Sequence, residues 1–281
     1  MYNFAYRCFY WQYKNLMLQK PSILYLAAIF LGGLVLLFLV APLAGMVLST
    51  TFPDLLSTAR EADVTRSIWL TVWTSMLATV VFGLAAIPFS YLLARKSFPL
   101  KNLVKGIIDL PVVIPHSAAG IALLGFISRD SLVGKAASWV GIDFVGNPLG
   151  IALAMAFVSL PFLINAARDG FEAVPRRLER TAMALGASPA RVFFTIALPL
   201  ALRNIISGMI MMFGRGMSEF GAVVIIAYHP MITPVLIFER FGTFGLKYAR
   251  PVAVIFIIVS LIVFILLRLL ANKQKTNGGI R

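Results

Sequence analysis

Acid is scarce in this chain. Eleven Asp and Glu stand against 25 Lys and Arg, a formal net charge of +14, and charged residues make up only 13% of 281 positions. A single cysteine, Cys8, excludes an intrachain disulfide and a cysteine-rich metal site. Two histidines, His116 and His229, have no third nearby in sequence, so no zinc centre is expected. No GxxxxGK[ST] phosphate loop, HExxH sequence or nucleophile–base triad occurs, so no ATP chemistry, catalytic site or bound cofactor is expected in this chain. A secretory leader is not expected either. The first apolar stretch starts only after residue 22 and, at about 25 residues, exceeds a leader's apolar region.

Apolar residues are abundant instead: 60% of the chain, with a mean hydropathy of +0.90. A soluble domain of this length has little use for so much apolar surface. At about 20 residues per crossing, six spans are expected, near 23–48, 67–93, 104–127, 148–167, 201–227 and 251–271. The third carries Asp109, Pro111, Pro115 and His116 and the fourth Pro161, so kinks or unwound turns are expected there.

The basic residues cluster beside the apolar runs, which argues for topology and contact with anionic lipid, not for nucleic acid. With the N-terminus in the cytoplasm, 17 Lys and Arg fall on inner segments and 7 on outer ones, and Arg215 lies within a span. Both termini are therefore expected in the cytoplasm of a multi-pass plasma-membrane protein. Residues 1–22 hold seven aromatics in the first thirteen positions, interleaved with Arg7, Lys14 and Lys20, and predict an interfacial helix. Residues 272–281 read as a flexible cytoplasmic tail, leaving 23–271 as the membrane domain.

Inside the fifth span, Arg215 and Glu219 are four residues apart, which on a continuous helix places both on one face. Charges at that depth face a bundle interior, a partner or a water-filled path. Three roles are open to the pair: a helix tie or gate, transient contact with a passing substrate, or both. A permanent high-affinity anion site is disfavoured, because the carboxylate offsets the arginine. Gly208, Gly214, Gly216 and Gly221 offer close helix approach or a hinge, Phe213 and Phe220 an apolar constriction, and the nearby methionines core filling. In the third span Pro115, His116 and Ser117 can line a polar path or serve simple kinked packing, and His116 is not read as a proton carrier.

Between the fourth and fifth spans, residues 175–185 predict a short helix opened by Pro175 and stopped by Gly186. Ser188 and Pro189 cap and open a second. The pair reads as a protruding docking element at 175–191, with a solvated connector as the plain alternative. Here the spacing becomes specific. Arg180-Thr181-Ala182, three residues, Gly186, nine residues, then Ile196-Ala197-Leu198-Pro199 resembles the EAA loop of ABC importer permeases. Arg180 and Thr181 replace the usual glutamate and first alanine, while Glu179 stands one position early. A second segment, Arg215-Gly216-Met217-Ser218-Glu219-Phe220-Gly221-Ala222, resembles the R-A-x-x-E-F-G-A segment of oxyanion importer permeases, with Gly216 in place of alanine. Residues 227–246 are most similar to the archaeal-type molybdate/tungstate branch.

The resemblance implies an all-α, six-span type I ABC importer permease. It implies a second copy of the chain, two ATP-binding cassette subunits that hold the ATP and Mg2+, and an external oxyanion-binding protein. It assigns coupling to the ATPase to Glu179, Arg180, Thr181, Ala182, Leu185, Gly186, Ala187, Ser188 and Pro189. The translocation path or gate is expected at Pro115, His116, Ser117, Phe213, Arg215, Ser218, Glu219 and Phe220. Sulfate or another oxyanion is the alternative cargo, and a stand-alone secondary carrier or a membrane scaffold the alternative class.

Overall fold

A computed structural model describes residues 23–277, with side chains to residue 271. The interfacial helix expected at 1–22 lies outside the described residues. All regular elements among the described residues are helical. Residues up to Thr51 and from Phe52 onward form two separate units. The first holds α1 (Ile23–Leu48), 26 residues without one charged side chain. At 1.5 Å per residue it is about 39 Å long, enough to cross a bilayer. Ser49 and Thr50 fold their hydroxyls back onto the Gly45 and Met46 carbonyls at 2.7 and 2.8 Å, satisfying acceptors that the helix end leaves open.

The second unit opens with α2 (Phe52–Arg60) and the long α3 (Ala62–Arg95). It continues through α4 (Lys101–Val113), α5 (His116–Ile127) and α6 (Leu132–Ser138) to α7 (Pro148–Ala173). The inner loop carries α8 (Arg176–Ala184) and α9 (Pro189–Val192). A π turn at Phe193–Ala197 leads into α10 (Leu198–Met217), followed by α11 (Gly221–Ile226), α12 (Thr233–Phe244) and α13 (Leu246–Asn277).

Helix α7 is the centre, with 14 of its 26 residues buried, and it packs chiefly between α3 and α10. Lipid tails are as apolar as leucine, so close packing rather than escape from water must hold such helices together. Glycines supply it. A Cβ on Gly208 would stand 2.8 Å from Ala166 Cβ, and one on Gly170 2.6 Å from Asn204 Cβ. Four buried hydroxyls of α3 return to their own helix: Thr71, Thr74, Thr79 and Ser90 each donate to the carbonyl four residues back, at 2.6–2.8 Å. Thr71 also accepts the Thr233 amide at 2.9 Å and so fixes the start of α12.

Among the described residues five helices are long and apolar enough to cross a membrane, and counting one bent pair as a span makes six. That pair, α4 and α5, turns by 111°. Ile114 and Pro115 are both extended, as proline requires of the residue before it, so the expected single span at 104–127 is two half-helices. The expected fifth span also differs. It begins at Pro189 and runs continuously to Met217, and then the chain breaks before α11. The π turn has a local cause: Pro199 lacks the N–H that would bond the Thr195 carbonyl, and the Leu198 amide bonds Phe193 five residues back. Finally, α13 runs to Asn277, into the segment read from sequence as the cytoplasmic tail.

Ion pairs sort by the expected sides. Glu179 with Arg95 joins segments assigned to the cytoplasm, while Arg240 with Glu61 and Arg129 with Asp143 join segments assigned outside. The Arg129 guanidinium holds the Asp143 carboxyl below its usual range. The Arg129–Asp143 pair is solvent-exposed, so it contributes little to stability.

Candidate functional site: a charge cluster at a helix break and a locked inner loop

Helix α10 ends at Met217, so Glu219 does not share its helix with Arg215. It sits in the break, where its backbone N–H bonds the Gly216 carbonyl at 3.0 Å. The ion pair forms nonetheless, with Arg215 Nη2 3.0 Å from Glu219 Oε2. The other carboxylate oxygen accepts the Ala222 amide at 2.9 Å, so Glu219 caps α11 while it neutralises the end of α10. Glu219 is 1% exposed. A carboxylate so deeply buried persists only with partners of this kind.

His116 completes the cluster from α5. Arg215 Nη2 lies 2.7 Å from His116 Nε2. Guanidinium only donates, so Nε2 accepts, and the neutral ring carries its proton on Nδ1, 3.9 Å from Glu219 Oε2. Ser218 accepts from Arg215 Nη1 at 3.2 Å and donates to the Arg215 carbonyl at 3.0 Å. The approach depends on missing side chains. A Cβ on Gly221 would stand 2.8 Å from His116 Cβ, and one on Gly120 2.9 Å from Ala222 Cα.

Three breaks thus meet: the α4–α5 turn, the α10 terminus and the start of α11. Arg215, Ser218, Glu219 and His116 come together in one cluster. Pro115 and Ser117 are exposed beside His116. Phe213 and Phe220 are placed separately. Phe213 is buried with its carbonyl accepting from Ser75 Oγ at 2.7 Å, while Phe220 pairs with Phe238 of α12 at 4.9 Å between ring centroids. Gly214 meets nothing within 4 Å and mediates no close approach. Gly216 does: a Cβ there would stand 2.7 Å from the Ser75 hydroxyl. The alanine-to-glycine departure thus has a steric cause.

The inner loop is built as its spacing predicts. Gly186, at φ +89°, ends α8 with the Ala187 amide bonded to the Ala182 carbonyl at 3.0 Å, and Ser188 caps α9 through the Arg191 amide at 3.3 Å. Glu179 turns inward. It receives Arg95 in a two-toothed contact, Nη2 to Oε1 at 2.6 Å and Nε to Oε2 at 3.1 Å, with the Tyr91 hydroxyl donating at 3.1 Å. Arg95 also donates to the Val174 carbonyl and Arg176 to that of Ala94, both at 3.1 Å. Tyr91 packs edge-on against Phe171 and Phe193 at 5.2 and 5.0 Å. The loop is therefore clamped to the end of α3. Arg180, Thr181, Leu185, Gly186, Ser188 and Pro189 face outward, with Ala182 and Ala187 half-buried.

Sequence reasoning missed Arg95 and Tyr91 as anchors of the loop. It also missed Ser75, Gly120 and the inner-end chain from Asp109 through Asn165 at 2.7 Å to Arg168 at 2.9 Å. The one available signal was Glu179 itself, a lone acid among Arg176, Arg177 and Arg180. Among the described residues, no three His, Cys, Asp or Glu converge to hold a metal.

Residues 86–276 match the family described as the binding-protein-dependent transport system inner membrane component. A molybdate/tungstate transport system permease protein of Pyrococcus abyssi is 45% identical over 76% of this chain and 80% of its own length. One from Thermococcus kodakarensis is 39% identical over 92% of this chain and all of its own. In fold, the chain resembles the crystal structure of a bacterial ABC transporter involved in alginate import: TM-score 0.69, 18% identity, covering 88% of this chain and 95% of that one. The broken spans, the inner loop and the helix-break cluster thus belong to a multi-pass transport permease, and the chain is a member of the binding-protein-dependent inner-membrane permeases of ABC importers, in the branch that holds the archaeal molybdate/tungstate permeases.

Proposed function

We propose that this chain is the translocation subunit of an ATP-driven importer that passes molybdate or tungstate from an external binding protein through a pore formed by two copies. The observation that carries the cargo is the 39–45% identity to molybdate/tungstate permeases across most of the chain. Two ATP-binding subunits dock at 175–191, where the outward residues of α8 and α9 are exposed and the clamp through Glu179 and Arg95 passes their movement directly into α3. ATP and Mg2+ reside in those subunits. The bistable elements are the breaks at Ile114–Pro115 and at Ser218–Phe220, which the His116–Arg215–Glu219 cluster ties together. The guanidinium is already engaged by three side chains, Glu219, His116 and Ser218, so the cluster serves the gate more readily than it serves as a resting anion site.

Intact-complex mass spectrometry of the gently purified transporter tests the assembly. Two copies of this chain with two ATP-binding subunits is the expected mass. A stable assembly lacking an ATPase across several mild detergents would overturn the docking role of 175–191.

A further inference from the structure

The inner ends of α10 and α13 enclose a cavity of about 400 Å³ that has no part in the charge cluster or the inner loop. Arg203 and Ser207 of α10 line it from one side, Phe264 and Arg268 of α13 from the other. Arg268 lies over the Phe264 ring, 4.8 Å from its centroid, which aims the guanidinium along the cavity wall. Arg203 and Ser207 are exposed and turn on one face of α10, four residues apart. Neither arginine pairs with a carboxylate among the described residues, and residues 1–22 and 272–281 contain no Asp or Glu. Two guanidinium groups and a hydroxyl thus share one cavity without a counter-charge.

Depth places the cavity at a boundary. Arg268 is 20 residues along α13 from Tyr248, about 30 Å, which is the thickness of the hydrocarbon core. Tyr248 lies at the end assigned outside, so Arg268 stands at the inner face. A second cavity of about 340 Å³ continues up the same pair of helices. It shares Phe264 and is lined by apolar residues including Phe256 and Leu261, up to Gly214 and Ser218 at the helix break. A cationic mouth at the inner face, continuous with an apolar groove, matches one chemistry: a tetrahedral oxyanion held by paired guanidinium groups.

We propose that Arg203, Ser207 and Arg268 form an oxyanion site at the inner end of the α10–α13 groove. It takes either the released cargo dianion or the phosphate of an anionic membrane lipid whose chain lies in the groove. Only the first source rests on the function proposed above. A lipid phosphate would bind whatever the transporter carries.

The full transporter tests this in two arms. In phosphatidylglycerol nanodiscs, intact-complex mass spectrometry reads the lipid retained per permease copy. In uncharged detergent without lipid, equilibrium dialysis with radiolabelled tungstate reads the free anion. The expected result is retention in at least one arm, about tenfold or more weaker in R203Q/R268Q and kept in R203K/R268K, as two charge-assisted contacts imply. Neither arginine has a protein carboxylate to orphan, so the glutamine variant should assemble normally, which its mass spectrum shows directly. Equal retention by wild type and R203Q/R268Q in both arms, or none by wild type in either, overturns the site. Lipid retention that falls in R203Q/R268Q, with no tungstate bound by wild type, would keep the site and rule out the released cargo as its occupant.

Discussion

Replacing Glu179 with glutamine leaves Arg95 buried without its carboxylate. Breaking a buried pair in this way costs about 3 kcal/mol or more, and thermal unfolding of the purified complex should show it. An apolar double replacement, Arg95→Met with Glu179→Leu, should recover most of that stability while ATP hydrolysis uncouples from transport. Gly216→Ala pushes a methyl into the Ser75 hydroxyl and should cost about 1–3 kcal/mol by overpacking, with Ser75→Ala in the same chain restoring the loss. The charge swap Arg215→Glu with Glu219→Arg should fail to restore assembly. An arginine at 219 cannot accept the Ala222 amide, so the site is directional as well as charged. A swap that assembles and transports would show that only net charge matters. At this scale the sequence disclosed the pair and its four-residue spacing but not its geometry. Arg215 and Glu219 were readable because acids are so few. Arg95 was not, because beside Lys96 it looks like one more cytoplasmic charge, and its partner lies 84 residues away.

Helices respond to the same rules. Gly120 lets α5 rest on the α11 backbone, and Gly120→Ala places a Cβ 2.9 Å from Ala222 Cα and its carbonyl oxygen, so the backbone contact must open. The expected result is a lower melting temperature together with slower uptake, because His116 withdraws from Arg215. An unchanged melting temperature and uptake would remove the α5–α11 contact from the account. Five of the spans were legible from apolar length alone, and Gly186, Ser188 and Pro189 told where the inner loop turns. The breaks were only half legible. Pro115 announced an interruption, yet whether it yields a gentle kink or a 111° turn depends on what α5 packs against, and that is α11, about a hundred residues later. The end of α10 at Met217 carried no proline signal. The stop becomes intelligible only once Glu219 is seen capping the next helix.

For the whole molecule, the uneven distribution of basic residues beside apolar runs set the topology, and the ion pairs Arg95–Glu179 and Arg240–Glu61 fall on segments that topology assigns to opposite sides. Family and fold follow from motif spacing that local physics alone does not explain, because a loop with the docking role proposed for 175–191 is shaped by its partner. The cargo is the claim with most at stake. It is tested most directly by ATP-driven uptake into proteoliposomes holding this permease, its ATP-binding subunits and the external binding protein. The account predicts accumulation of radiolabelled tungstate or molybdate that stops without ATP, with excess unlabelled sulfate competing weakly. Sulfate accumulation equal to that of tungstate and molybdate, or oxyanion entry that ignores ATP, would contradict it.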